Sequence, residues 1–463
     1  MGPQAVIEKL QALRDHALQR KADVYIQWSA EDSHMVRYAN SAVSLNSHEA
    51  ITRLQVAALG DHKQTSTRVT VDSQDLEAMK TAIDKAIDML PFASPMTYQP
   101  TLPHIRESSI SQDSYDPEVE QMTSDEIIEF VNRAVEGLET GDILLSGNFS
   151  AGAAEVATIS TATPEVVYWR ASDIGITLVL ASEKRKWEIN AEQFVYRKED
   201  LDARALHDRL RWLSDLYNTR AEVRVPEGSC KVVLGPAALA EYLGFLGYIG
   251  YRGGIMKRGL SMFKEADVGQ QVFSPAFTLT EDPSLKETFA MPVDFFGRRR
   301  EKRDLIDQGR LTGFLWDQQS ADEFGQEPTG HDTNNDSIVV RGGQMDIQSI
   351  QEFAKLPREE DILYVPFLHY MNIVNPSEGQ LTAISRFGAL LLKKDGSIQL
   401  AYNVRFTEKL RELLGDKLQW MSRHNTPYGS STHYYGRDPY AFLVPALSCF
   451  DGVNVEISNE SFG

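Results

Sequence analysis

The stretch Cys230 to Phe263, CKVVLGPAALAEYLGFLGYIGYRGGIMKRGLSMF, decides how the rest of the chain is read. A β-rich run from Lys231 to Leu234 breaks at Gly235-Pro236 and gives way to a helical period from about Ala237 to Ile249. Pro236 suits the first helical turn, where a backbone N–H would have no partner within the helix. Gly244, Gly247 and Gly250 then recur every third residue, and each costs about 1 kcal/mol relative to Ala in a helix interior. The repeat predicts compensation by close approach of another backbone. Leu239, Tyr242, Leu243 and Leu246 supply the remaining apolar surface, so the segment reads as a buried helix with little polar chemistry of its own.

Working outward, 463 residues suffice for two or three domains with a sizeable core, and 42% hydrophobic and 9% aromatic residues are ordinary for a folded chain. A net charge of -19 argues against non-specific binding to a phosphate backbone, so no nucleic-acid partner is expected. Cys230 and Cys449 are far apart and show no CxxC spacing, which points to a reducing compartment and away from a disulfide scaffold or zinc knuckle. The N-terminal residues are amphipathic and charged throughout, unlike a signal peptide. No run approaches the ~20 apolar residues that span a bilayer. A cytoplasmic protein without a membrane partner is the expectation.

In chain order the pattern predicts a helix over 4–19, strands at Ala22 to Ser29, Met35 to Ser44, Thr52 to Leu59 and Thr67 to Val71, and a helix over 75–90. Pro91 to Asp116 reads as a surface connection and Thr123 to Leu138 as a capped helix. Ile143 to Thr161 and Glu165 to Ala181 form an expected hairpin turned at Thr163-Pro164, followed by a helix over 201–217. Beyond the central helix, Val272 to Leu279 is β-like, Thr280 to Pro283 a turn, Thr407 to Leu414 a helix, and His424 to Tyr440 a Tyr- and Gly-rich loop. Together these predict an α+β protein in two domains. Residues 1–225 would form an N-terminal α/β domain, and 226–463 a C-terminal, predominantly β domain around the buried central helix.

Several runs of the second half resemble the TldD/PmbA family. KVVLGPAALAEYLGFLG is similar to the family's strand, Gly-Pro and helix; GLSMFKEADVGQQVFSPAFTLTEDPS and LIDQGRLTGFLWDQQSADEFGQEPTGH are similar to its next two conserved runs. Together they cover Lys231 to His331. FGALLLKKDGSIQLAYNVRF is a looser match, with Lys393 and Lys394 where acidic or Asn residues are usual. The resemblance implies a heterodimeric zinc metallopeptidase acting on unfolded or ribosomally made peptides. Its catalytic member carries HExxxH on the helix after the Gly-Pro turn, two His to bind zinc and a Glu to activate water. Here the corresponding positions are about Gly244, Phe245 and Tyr248, none of which supplies a nitrogen ligand or a carboxylate base.

The resemblance therefore implies the non-catalytic, TldE-like subunit, with no catalytic residue, metal or cofactor of its own. Zinc would come from an HExxxH-bearing, TldD-like partner, with which this chain would share a chamber for peptide substrate. An independent hydrolase with another kind of site and a homo-oligomeric peptide-binding module are the alternatives.

The other polar features are weighed beside this. In Pro292 to Gly297 the family's F-D-x-E-G becomes PVDFFG, keeping Asp294 but placing Phe296 at the Glu position. The loop with Thr329, Gly330 and His331 could bind a peptide main chain or simply make Asx turns. Tyr434 and Tyr435 stand in a loop that could meet substrate or partner. His48 to Arg53 begins like HExxxH but ends in Arg and lies between strand-like runs, so it reads as coincidence. A metal site drawn from His331, His369, His424, His433 and Cys449 lacks helical ligand spacing, and Cys449 reads as a buried structural thiol. Arg298 to Arg303 reads as a solvated turn or edge guard.

Overall fold

The computed structural model describes residues 2–220, 222–333, 336–432 and 436–458. The fold is α+β. A seven-stranded sheet is built from β1 (Asp23–Ala39), β2 (Ala42–Gly60), β3 (Lys63–Val71), β4 (Ser109–Ser111), β5 (Ile143–Ser160), β6 (Thr163–Ser182) and β7 (Trp187–Val195). Its order is β3-β2-β1-β5-β6-β4, with β7 also paired to β6. Only β4 runs parallel to its neighbour.

The first strands differ from the expected short runs. β1 continues unbroken to Ala39, and the chain reverses at Asn40-Ser41, both left-handed with φ of 51° and 62°. Glu31-Asp32-Ser33-His34 looks like a loop in sequence because both faces are polar there, yet it sits mid-sheet, paired with β2 on one side and β5 on the other. The hairpin between β5 and β6 turns at Thr161-Ala162, so Thr163-Pro164 already belong to β6. The connection across 91–116 is not merely superficial: Ile105 is fully buried and Ser109–Ser111 joins the sheet.

Side chains alternate across a strand, and one face of this sheet is covered by helices. α1 (Pro3–Gln19) and α2 (Leu76–Met89) pack Leu10, Leu13, Met79 and Ile83 against Val24, Ile26 and Trp28. α3 (Pro117–Glu120), α4 (Ser124–Val135) and α5 (Ala203–Thr219) cover the other end, with Phe130, Val131 and Leu210 against Val36, Phe149 and Ile176. Local caps set these helices. Asp75, Asp116 and Asp202 accept from first-turn N–H groups, and Thr123 and Glu126 form a reciprocal capping box.

From residue 222 onward the chain forms a six-stranded and a ten-stranded sheet among the described residues. The strand Gly228–Leu234 is central to the larger one, antiparallel to Ser448–Ile457 and parallel to Ile362–Val365. It leads directly into α6 (Pro236–Ile249). Three expectations are corrected here. The segment 272–279 forms strand only at Leu279–Glu281, which takes in part of the expected turn. Thr407 to Lys409 ends a strand, leaving a helix of Leu410–Leu413. The expected loop 424–440 is largely a hairpin of Asn425–Thr432 with Asp438–Pro445, in which Thr426 pairs with Val444 and Tyr428 with Phe442. One hydrophobic cluster joins the two halves, bringing Leu213 and Tyr217 of α5 against Tyr364, Leu390 and Cys449.

Candidate functional site

α6 is amphipathic in burial although not in composition. Leu239, Tyr242, Leu243, Leu246 and Ile249 are buried in the largest core cluster. The opposite face is open: Gly244 is exposed, Tyr248 is 61% exposed, and Phe245 is only partly buried against the core. Among the described residues the expected backbone neighbour for Gly244 and Gly247 is not found. A Cβ at Gly244 would meet nothing, one at Gly247 would meet the Tyr251 phenol, and Gly250 ends the helix. The helix is thus buried on one side only, and the glycine face looks out of the chain. Glu241 lies one turn before Gly244, with its carboxyl pKa raised by burial. Neither Gly244, Phe245 and Tyr248 nor Ile249, which the five-residue spacing of HExxxH also reaches, supplies an imidazole or a carboxylate.

At the N-terminal end of α6 a cavity of about 450 Å³ is enclosed by Pro236 and Ala237, by Asn190 and Glu192 of β7, and by Thr426, Pro427 and Tyr428 of the hairpin. It lies between the first sheet and the C-terminal strands. Burial raises the Glu192 carboxyl pKa, against the opposing pull of the Tyr428 hydroxyl, which donates to it at 3.1 Å, and of Arg209 and Asn190. Tyr428 is pushed well above its ordinary range by burial and by Glu192, so it keeps its proton and remains a donor. These groups can hydrogen-bond an extended chain. Glu192 escaped the sequence reading because it lies in an alternating strand with nothing local to distinguish it; Tyr428 had only its place in a Tyr-rich segment.

The remaining predicted residues are mostly engaged internally. Asp294 is fully buried; its carboxylate accepts from the N–H groups of Phe296 at 3.0 Å and Arg298 at 2.8 Å, which closes the turn at Gly297. His331 is 2% exposed, with Nδ1 2.9 Å from the Thr329 hydroxyl and Nε2 3.6 Å from Glu281. Gly330 is buried beneath Arg299 and Arg300. In this structure Asp294 and His331 organise the loop from within, and a peptide in contact with them would require them to be uncovered. Tyr434 and Tyr435 lie outside the described residues.

The basic run is likewise not a solvated turn throughout. Arg300 is 4% exposed and ion-paired with the fully buried Glu281, while Arg298 donates to Gln318. Asp332, unremarked in the sequence, is pushed up to about 8 by burial and then by the charge of Asp294. The scattered histidines do not converge: His369 meets Arg386, and His424 pairs with Asp346 on the surface. His433 lies outside the described residues. Cys449 is fully buried in a core strand, its thiol pushed up to about 12 by burial.

An α+β scaffold with a Gly-Pro turn feeding a half-exposed helix is the class of fold that this geometry defines. Residues 227–448 match the family described as PmbA/TldA metallopeptidase C-terminal domain. The C-terminal part of the chain, residues 227–448, is thus a domain of the TldD/PmbA family, and the chain as a whole has a TldE-like fold. TldE from Thermococcus kodakarensis superposes with a TM-score of 0.77 at 17% identity, covering 98% of this chain and 100% of that one. A Thermotoga maritima protein described as a candidate modulator of a DNA gyrase gives 0.76 at 15% identity, covering 97% and 99%. A Bacteroides thetaiotaomicron protein similarly described gives 0.77 at 17%, covering 97% and 98%. At such identities the likeness establishes the fold. No curated protein matches the chain in sequence. No helix among the described residues is long and apolar enough to cross a membrane.

Proposed function

We propose that this chain is the non-catalytic, TldE-like subunit of a heterodimeric TldD/TldE-type zinc metallopeptidase that processes unfolded or ribosomally made peptides in the cytoplasm. The observation that carries this reading is the open face of α6, where Gly244, Phe245 and Tyr248 replace the donors a hydrolytic zinc would need. In this role zinc and the catalytic carboxylate belong to an HExxxH-bearing partner, and this chain contributes walls of the peptide chamber. The cavity beside Glu192 and Tyr428 supports a part in holding an extended peptide.

The test is co-expression with a TldD-like partner, followed by sizing, a zinc count and a peptidase assay. A one-to-one complex that cleaves unfolded peptides, with neither chain active alone, is the expected result. Peptide cleavage by the purified chain alone, or failure to join such a partner, would overturn it.

A further inference from the structure

The helix-bearing face of the first sheet has an apolar stripe with a polar gap in its middle. Along β1, Val24, Ile26 and Trp28 lie under α1 and α2, and Val36 and Tyr38 belong to the cluster under α4 and α5. Asp32 and His34 share that face and fall between the two apolar groups. His48 of β2 stands directly opposite His34 in the antiparallel register. On the other side, Asp32 and His34 face Ala153 and Ala151 of β5, whose small side chains leave room above the strand.

Three potential ligands therefore meet at one point. His48 Nε2 lies 2.7 Å and His34 Nε2 3.7 Å from the same oxygen, Asp32 Oδ1. The two imidazoles are stacked, with centroids 4.0 Å apart and planes 8° from parallel. One ligand atom from each residue lies within 4.8 Å of the others, and this is the grouping of three such side chains found among the described residues. Tetrahedral ligands at zinc–nitrogen and zinc–oxygen distances are about 3.4 Å apart. The 3.7 Å separation already fits, and the 2.7 Å one needs to open by less than about 1 Å. His48, with 53% of its side chain exposed, is free to make that adjustment.

Without an ion, one carboxylate oxygen serves His48 as a hydrogen-bond partner and leaves His34 beyond hydrogen-bond reach. A cation would let all three direct electron pairs at one centre. We propose that Asp32, His34 and His48 form a divalent-cation site, of the imidazole-preferring kind that takes Zn²⁺ or Co²⁺, clipping β2 to β1. The place suits a clip. β3 pairs with β2 only as far as Thr52, so from Ile51 toward Ala42 β2 has β1 as its neighbour on one side and, among the described residues, no paired strand on the other. Asp32 also lines a cavity of about 350 Å³ with Thr52, Glu120, Glu155 and Arg170, through which solvent can complete the coordination. The site is separate from α6 and does not depend on the subunit reading.

The test uses the full-length, untagged chain, stripped with a chelator and titrated with Co²⁺ and then Zn²⁺ alone. One saturating equivalent is expected, with the visible absorption of a low-coordinate Co²⁺ that Zn²⁺ bleaches, and a rise in Tm on binding. His48→Gln and His34→Gln should each weaken binding by at least about tenfold and abolish the Tm rise. Because His48 is half-exposed, its variant carries the test even if His34→Gln fails to fold. Absence of saturable binding, or one-equivalent binding unchanged in His48→Gln, would overturn the proposal. Either outcome leaves the heterodimer experiment standing, since that one reads zinc and cleavage in the complex.

Discussion

Helix α6 and the β1–β2 pair each carry an apolar stripe facing a core, and each departs from it differently. On α6 the departure is the opposite face, where Gly244 and Tyr248 meet solvent and offer no metal donor. On β1 the departure lies within the stripe, where Asp32 and His34 interrupt it and find His48 across the hairpin. Donors on a helix share a face by spacing along the chain, so their loss from α6 is visible at once. Donors on a sheet meet through register, so a search for linear motifs passes over them.

The largest effect that would sharpen this comparison lies under the β1 gap, on the sheet's opposite face. There the buried Arg437 donates from Nε to Asp173 at 2.6 Å and reaches Ser33 and Ser150 at 3.3 Å. Arg437→Ala would leave Asp173 charged and unpaired, and about 3–5 kcal/mol of stability should be lost in denaturant unfolding. A loss below 1 kcal/mol would mean that this polar middle is not held from beneath. Next comes the inner face of α6: Leu246→Ala, at a fully buried site, should cost about 2–5 kcal/mol. A surface-like response there would erase the distinction between the two faces of the helix.

A smaller and pH-dependent effect concerns Asp332, whose carboxyl is held at about 8 by burial and by Asp294. The folded state then holds a proton that the unfolded state releases near pH 4, so stability should fall as pH rises from about 4 to 8 and level off above that. Asp332→Asn should flatten this slope, as read from Tm against pH, and an unchanged slope would assign it to other groups. The smallest expected effect is at Gly244, where an added methyl meets nothing. Gly244→Ala should stabilise by up to about 1 kcal/mol through helix propensity alone. Destabilisation would reveal a neighbour on the face read as open.

Local chemistry made much of this molecule legible. Asp75, Thr123 and Asp202 announce helices because a cap and its N–H groups are only a few residues apart. The Gly-Pro break before α6 was legible for the same reason. The segment 30–35 was misread because its polar residues face two different environments, and an edge of alternation is lost when both faces are polar. Asp294 and His331 read as possible peptide contacts because a polar loop usually lies at the surface, whereas the N–H groups of Phe296 and Arg298 hold Asp294, and the Thr329 hydroxyl holds His331, within the protein.

The order of residues by itself determined that α6 would form and that positions 244, 245 and 248 would carry no metal donor, because helix spacing is a property of a few adjacent turns. Only the tertiary structure decided that the glycine face looks outward, that Glu192 and Tyr428 share a cavity, and that His34 meets His48 above Asp32. Those outcomes depend on strand register and on packing between segments tens to hundreds of residues apart, which no local preference encodes.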